Sequence, residues 1–185
     1  FNKHIGDWNV SNGTNFSYMF VSAEAFNRDI GDWNVSSGVN FEGMFCGAIS
    51  FNKAIGKWNV SNGTNFSQMF ASAEAFNKNI GDWNVSYGDN FSCMFCNAKS
   101  FNQNLSNWKT GNATDMEGMF CLALSFNGDV STWNTQNVTS TREMFRSALL
   151  FNQDISSWYH YNSWNTSSVT NMDGMFKDAT SFCQN

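Results

Sequence analysis

Three kinds of side chain in this 185-residue chain could carry chemistry: two histidines, five cysteines and a recurring set of carboxylates. A nucleophilic site would need a histidine beside a serine or cysteine and oriented by a third group. Neither His4 nor His160 has such a partner. Cys93-Met-Phe-Cys96 has CxxC spacing, yet no second pair and no nearby histidine completes a zinc site. Asp7, Asp29, Asp32, Asp82, Asp129 and Asp154 recur at two places along the chain, but Lys57, Asn79 and Thr132 interrupt them. A calcium ladder needs oxygen ligands at every repeat, so these acids read as solvated surface. The glycines mark turns and build no phosphate-cradling loop. The expectation is a protein without catalytic residues, cofactor or metal.

What positions these residues is a 25-residue repeat, with units starting at Phe1, Phe26, Phe51, Phe76, Phe101, Phe126 and Phe151, and Phe182 opening an eighth. Phe holds position 1, Asn position 2, Trp position 8, Met position 19, Phe position 20 and Ala position 23. A period in this range marks a solenoid, in which each unit buries its apolar face against its neighbours. The repeat runs through the whole chain, so residues 1–185 are read as one array without a linker.

Within the first unit, Ile5, Trp8 and Val10 follow the LxxLxL spacing of a leucine-rich-repeat strand. Residues 11–15 form a turn, and Phe16, Met19, Phe20 and Ala23 recur at helical spacing. The expected fold is a leucine-rich-repeat-like solenoid of right-handed coils, each with a short parallel strand and a short helix or 3₁₀ segment: seven coils and the start of an eighth. Trp8, Trp33, Trp58, Trp83, Trp108 and Trp133 are assigned to the core as a column. Asn2, Asn27, Asn52, Asn77, Asn102, Asn127 and Asn152 form a second column, expected to bond amide to amide along the axis and to satisfy buried turn backbone. The last unit carries a six-residue insertion, 159–164, leaving Trp158 and Trp164 as rivals for its Trp position. This aromatic loop is the best candidate for a local contact.

Cys96 and Cys121 share position 21 of consecutive units. Stacked coils lie about 4.8 Å apart, inside the separation a disulfide accepts, so these two are a candidate bridge. Cys46 is two coils from Cys96, roughly 10 Å, too far to join them. Thirteen Asn-x-Ser/Thr triplets occur, and glycosylation along one exposed turn would use Asn12, Asn62, Asn112, Asn137 and Asn165. The net charge of -5 argues against a nucleic-acid or anionic-membrane partner. No apolar stretch approaches the ~20 residues of a membrane span. The chain opens on Phe1, in phase with the repeat, which suits a removed signal peptide or an excerpt of a longer array.

The unit Phe-Asn-x-x-Ile-x-x-Trp-Asn-Val-Ser-x-x-Thr-Asn-Met/Phe-x-x-Met-Phe-x-x-Ala resembles the short surface-protein repeat of the BspA-like, leucine-rich-repeat-like family. Residues 151–158 and 168–179 carry the closest copies. The chain departs from that pattern with Gly at position 13 (Gly13, Gly38, Gly63, Gly88) and Phe at position 16. The resemblance implies a secreted or surface-anchored, non-enzymatic role in adhesion or envelope structure. Two functional classes follow. One is an extracellular structural or adhesion protein within a longer array, filament or appendage, whose partners are further repeats, other surface proteins or glycans. The other is a carbohydrate- or ice-binding solenoid using the Ser/Thr/Asn turn face. Both ends of the array are expected to expose apolar side chains that fit another coil.

Overall fold

The computed structural model describes residues 1–156 and 164–184. Successive units lie directly on one another, and every large apolar column becomes a stack. Phe20, Phe45, Phe70, Phe95, Phe120, Phe145 and Phe176 are spaced 5.3–5.6 Å ring to ring. The position-1 rings, from Phe1 to Phe182, run parallel to that stack at 5.7–6.0 Å. The two stacks touch where one unit passes into the next, as at Phe45 of the second unit and Phe51 of the third, 4.1 Å apart. From the second unit to the sixth these rings are fully buried.

The expected strand over 5–10 and helix over 16–23 are absent; among the described residues there is neither a helix nor an extended strand. Each unit is instead a succession of turns, closed by Trp8 N–H to Ile5 O, Gly13 to Val10, Met19 to Phe16, Val21 to Tyr18 and Ala23 to Phe20. The reason is the spacing. Packed α-helices need about 8–10 Å between axes, and these units are little more than half that apart.

The odd-numbered N–H groups at 19, 21 and 23 close local turns, while the even-numbered ones point to the next unit. Phe16 donates to Asn40 O, Tyr18 to Glu42 O, Phe20 to Met44 O and Ser22 to Cys46 O, at 2.7–2.8 Å. Alternation of this kind needs a left-handed residue at positions 18 and 22, as at Tyr18 (φ 56°) and Ser22 (φ 55°). Those are the third residues of turns 16–19 and 20–23, where a type II turn requires positive φ. Isolated parallel bridges join position 15 from Asn15 through Asn40, Asn65, Asn90, Asp115 and Ser140 to Asn171. The parallel contact thus lies at the turn expected to precede the helix, not at Trp8 and Val10.

The two departures at positions 13 and 16 are one coupled exchange. A Cβ on Gly38, Gly63 or Gly88 would lie 2.4 Å from the ring tip of Phe41, Phe66 or Phe91. Where position 16 is Met116, Thr141 or Met172, position 13 carries Ala113, Val138 or Val169. The long ring takes the volume that the shorter residue leaves to a side chain at 13.

Two stability measurements follow. Gly63→Val should destabilise the fold by about 1–3 kcal/mol through overpacking, and Phe66→Met in the same chain should recover most of that loss in a double-mutant cycle of denaturant melts. Trp83 is 2% exposed, and Trp83→Ala should cost roughly 3–5 kcal/mol. Ready acrylamide quenching of the interior indoles would contradict that placement.

Candidate functional site

The Trp column is an internal brace. Trp33, Trp58, Trp83, Trp108 and Trp133 are buried, while Trp8, in the first unit, is 53% exposed. Each interior indole Nε1–H donates to the position-5 carbonyl of the preceding unit, as Trp83 does to Ile55 O at 3.1 Å. Trp164 continues the column: it stacks on Trp133 at 6.5 Å and donates to Val130 O at 2.9 Å. The insertion therefore lies ahead of Trp164 rather than including it. Trp158 and most of the expected aromatic loop, with His160, fall outside the described residues.

The Asn column also ties unit to unit, though not amide to amide. Each Oδ1 accepts the position-2 backbone N–H of the next unit: Asn2 from Asn27, Asn27 from Asn52, Asn52 from Asn77, Asn77 from Asn102, Asn102 from Asn127 and Asn127 from Asn152, at 2.8–3.1 Å. Asn152 serves Cys183 N–H in the same way. Gln103 and Gln153 reinforce the row through Nε2 bonds to Asn77 and Asn127.

The sequon row is exposed but bonded inward. Asn62, Asn112 and Asn137 donate Nδ2–H to the carbonyls of Ser36, Ser86 and Gly111 in the preceding units, at 2.7–2.8 Å. Ser37 and Ser168 do the same through Oγ. Asn165 accepts Ser167 N–H at 2.9 Å, and Asn12 is exposed in the first unit. Beside this row Thr114, Thr139 and Thr170 donate Oγ1–H to the position-14 carbonyls before them.

Ionisable groups gather at few places. His4 pairs with Asp7 at 3.1 Å in the open. Asp29, Asp32, Lys57, Lys78, Asn79 and Asp82 rim a shallow trough floored by Gly31 and Gly56. Those glycines are required by contact: a Cβ on either would lie 2.5 Å from a carbonyl oxygen of the next unit. Among the described residues no group of three or more His, Cys, Asp or Glu is arranged to hold a metal ion. Arg142 bridges Glu117, Glu143 and Asp173, and Arg146 shares Glu143.

The densest chemistry is a thiol cluster that sequence spacing captured only in part. All five cysteines are free thiols. Cys96 and Cys121, the candidate bridge, are neighbours but not joined, and Cys93 adjoins them from position 18. Its signal was its placement three residues before Cys96, since the turn that Cys96 N–H closes on Cys93 O brings the two together. Hydrogen bonding to Cys96 holds the Cys121 thiol down to about 7, against the opposing effect of its burial. The same partner lowers Cys93 and raises Cys96 itself. Cys96 has one proton and can support one thiolate at a time. Glu117 and Asp115 oppose ionisation of Cys93; at Cys121 Glu143 opposes it and Arg146 favours it, and the hydrogen bond to Cys96 outweighs the opposing effects. Burial alone pushes Cys46 up.

These features describe a tandem-repeat protein whose recurrent polar and apolar rows connect units. Overlapping matches over residues 1–92, 31–127 and 75–185 place the chain in the family described as "Mycoplasma protein of unknown function, DUF285". The chain belongs to that repeat family over its whole length. No curated protein and no solved structure matches it.

The thiol cluster gives a pH signature. Alkylation of Cys121 should reach half its plateau rate near pH 7, against about 8.5 for an ordinary thiol, and Cys46 should need a higher pH than that. Since this thiol titrates lower in the fold than in the unfolded chain, its contribution to stability grows as pH rises from about 7 to about 8.5. The raised Cys96 works the other way above that range. Mass-spectrometric mapping of alkylation across pH checks the order.

Proposed function

We propose that the chain is a non-enzymatic structural and adhesion protein of the cell surface or extracellular space, a solenoid of the BspA-like kind that stacks on further copies of its own repeat. The observation that carries this reading is the direction of the polar rows. The Asn and Trp side chains that recur through the repeat, and Ser and Thr side chains in several of the units, bond to the adjacent unit, which favours extension of the stack over capture of a ligand.

The backbone shows how one unit receives the next. In every later unit the carbonyls at positions 15, 17, 19 and 21 accept N–H groups from the unit before, as Asn40, Glu42, Met44 and Cys46 do. Asn15, Ser17, Met19 and Val21 offer the same acceptors on the outer side of the first unit. Phe1, Trp8, Met19 and Val21 lie there 60%, 53%, 38% and 46% exposed. A further 25-residue unit, of the same polypeptide or of another copy, would cover these side chains and meet these acceptors in register. With mixed charges and few of them, such a stack associates through backbone pairing and ring stacking rather than through a strong field.

The experiment compares self-association with ligand retention. The purified chain should form linear, concentration-dependent oligomers by sedimentation velocity, and Trp8→Arg with Met19→Glu should reduce that association at least about tenfold, a difference of 1.4 kcal/mol per junction. Retention on a polysaccharide matrix or inhibition of ice growth, lost on replacing Thr114 and Thr139, would overturn the structural reading in favour of a binding solenoid. Intact mass of native material tests whether glycans occupy Asn12, Asn62, Asn112, Asn137 or Asn165.

A further inference from the structure

The fourth and fifth units meet at three thiols. Cys96 faces Cys93 within its own unit and Cys121 in the next, close enough for each to shift the other's ionisation. The backbone fixes all three: Cys96 N–H bonds to Cys93 O at 3.0 Å, and Asn97 N–H bonds across the junction to Cys121 O at 2.7 Å. A Cβ on Gly118 would lie 3.1 Å from Cys93 Sγ and 3.9 Å from Cys121 Cβ, so the Cys93 thiol overhangs the fifth unit beside Cys121. One residue away, the Phe95 and Phe120 rings set the local spacing of the units at 5.5 Å. That spacing falls within the roughly 4.4–6.8 Å between Cα atoms that a disulfide accepts without backbone movement.

We propose that Cys96 and Cys121 are an oxidisable pair, which a hydroperoxide converts into a disulfide joining the fourth and fifth units, and that Cys93 is the thiol that reopens it. The Cys121 thiolate attacks one peroxide oxygen; the O–O bond breaks, the other oxygen leaves as hydroxide, and Cys121 becomes a sulfenic acid. The Cys96 sulfur then attacks Cys121 Sγ. The sulfenic hydroxide leaves with the Cys96 proton as water. With hydrogen peroxide the sum is two thiols and one peroxide giving one disulfide and two waters.

Reopening is an exchange without net oxidation. The Cys93 thiolate attacks Cys96 Sγ, the bond between Cys96 and Cys121 breaks, and Cys121 leaves as the thiolate. A thiol ionising near neutrality is a good leaving group. The bridge then lies inside the 93–96 turn and the junction between units is no longer covalent. The cluster can therefore hold the same two oxidising equivalents across the stack or within one unit. Arg146 and Glu143 both face Cys121, with opposite effects on its charge, so the contact with Cys96 is what supports the anion that both steps require. Cys46 stands apart, two units before Cys96, and Cys183 is exposed near the far end of the chain.

The test uses the full chain, fully reduced and then exposed to stoichiometric hydrogen peroxide, quenched by alkylation and mapped by peptide mass spectrometry. The expected product is a peptide pair two hydrogens lighter that joins Cys96 to Cys121, in at least about tenfold excess over oxidation at Cys183, because reactivity follows thiolate character rather than exposure alone. Cys93→Ser should keep that bridge and abolish its migration into the 93–96 turn. Cys121→Ser should move the bridge to Cys93 and Cys96, and Cys96→Ser should leave a sulfenic acid on Cys121 that dimedone traps. Oxidation in order of exposure, with Cys183 first, would overturn the proposal. So would wild-type oxidation to sulfinic acid at Cys121 without an intrachain bridge. If a serine variant loses its circular dichroism spectrum, the wild-type map alone decides between these outcomes. None of them depends on whether the stack self-associates.

Discussion

The spacing between units, 5.3–5.6 Å along the Phe20 stack, is the constraint from which the other features follow. It is the thickness of one peptide layer with one aromatic ring on it, near the distance between hydrogen-bonded strands. A helix is twice too thick to repeat at that interval, so each unit must be built from a single extended-and-turned layer. A backbone one layer thick can satisfy its polar groups only locally or in the layers above and below. The alternation at 16–23 does both: one N–H closes a turn and the next reaches across. The left-handed residues at positions 18 and 22 are the geometric consequence. For residues such as Gln68, Cys93 and Leu122 each carries a strain of about 1 kcal/mol or more. That strain is tolerated because it places two interunit hydrogen bonds in line.

The same constraint explains a surface with little charge. Only 14% of the chain is Asp, Glu, Lys or Arg. At one-layer spacing, identical charges at one position in consecutive units would sit about 5 Å apart, and like charges that close repel. Neutral side chains that donate and accept avoid this, and the Asn column does so at every junction. Opposite signs meet along parts of the stack, as with Asp32, Lys57 and Asp82 around the trough and Glu117 with Arg142 near the far end. The like charges of Lys3, Arg28, Lys53 and Lys78 at position 3 instead sit on long side chains, none of them buried, that can spread apart in solvent. The acidic row at position 7 is itself interrupted by Lys57, Asn107 and Thr132.

Most of the core was legible in the sequence because ring and indole columns have to coincide from unit to unit: Trp33 to Trp133, and Phe20 to Phe176, lie where the 25-residue register puts them. The helix was not. Residues 16, 19, 20 and 23 point inward in a helix, and they also point inward in successive turns whose corners fall at 18 and 22. Side-chain periodicity cannot separate the two. The distinguishing signal was at the corners, where Gly43, Gly118 and Gly174 occupy position 18 and Gly47 occupies position 22. It was masked by the non-glycine residues that hold positive φ in the other units. The thiol cluster was half legible for a related reason: columns reveal Cys96 over Cys121, but Cys93 reaches them through the shape of a turn. Trp8 shows the limit of column reasoning, since an identical residue is buried or exposed according to whether a unit lies on its outer side.

From Leu105 onward the sequence loosens without the stack changing, and the substitutions show what the architecture allows. Thr110 and Thr135 replace buried Val at position 10, and each hydroxyl donates to a carbonyl of the next unit, Asn134 O and Asn165 O, at 2.9 Å. A polar atom is admitted to the wall of the core when the adjoining layer supplies its partner. Thr141 is the contrasting case. It stands at position 16, between Met116 and Met172, and its buried Oγ1 has no hydrogen-bond partner. At position 10 the next backbone layer passes within reach of the side chain; at position 16 the neighbours are apolar side chains. The exchange between positions 13 and 16 obeys the same logic in volume rather than polarity, with Gly beside Phe and a larger residue beside Met or Thr. Variation in this repeat is therefore not free within a unit. It is accepted where a neighbouring residue or the adjacent layer absorbs the change, which is why the six-residue insertion before Trp164 can coexist with an indole that still stacks on Trp133 and bonds to Val130.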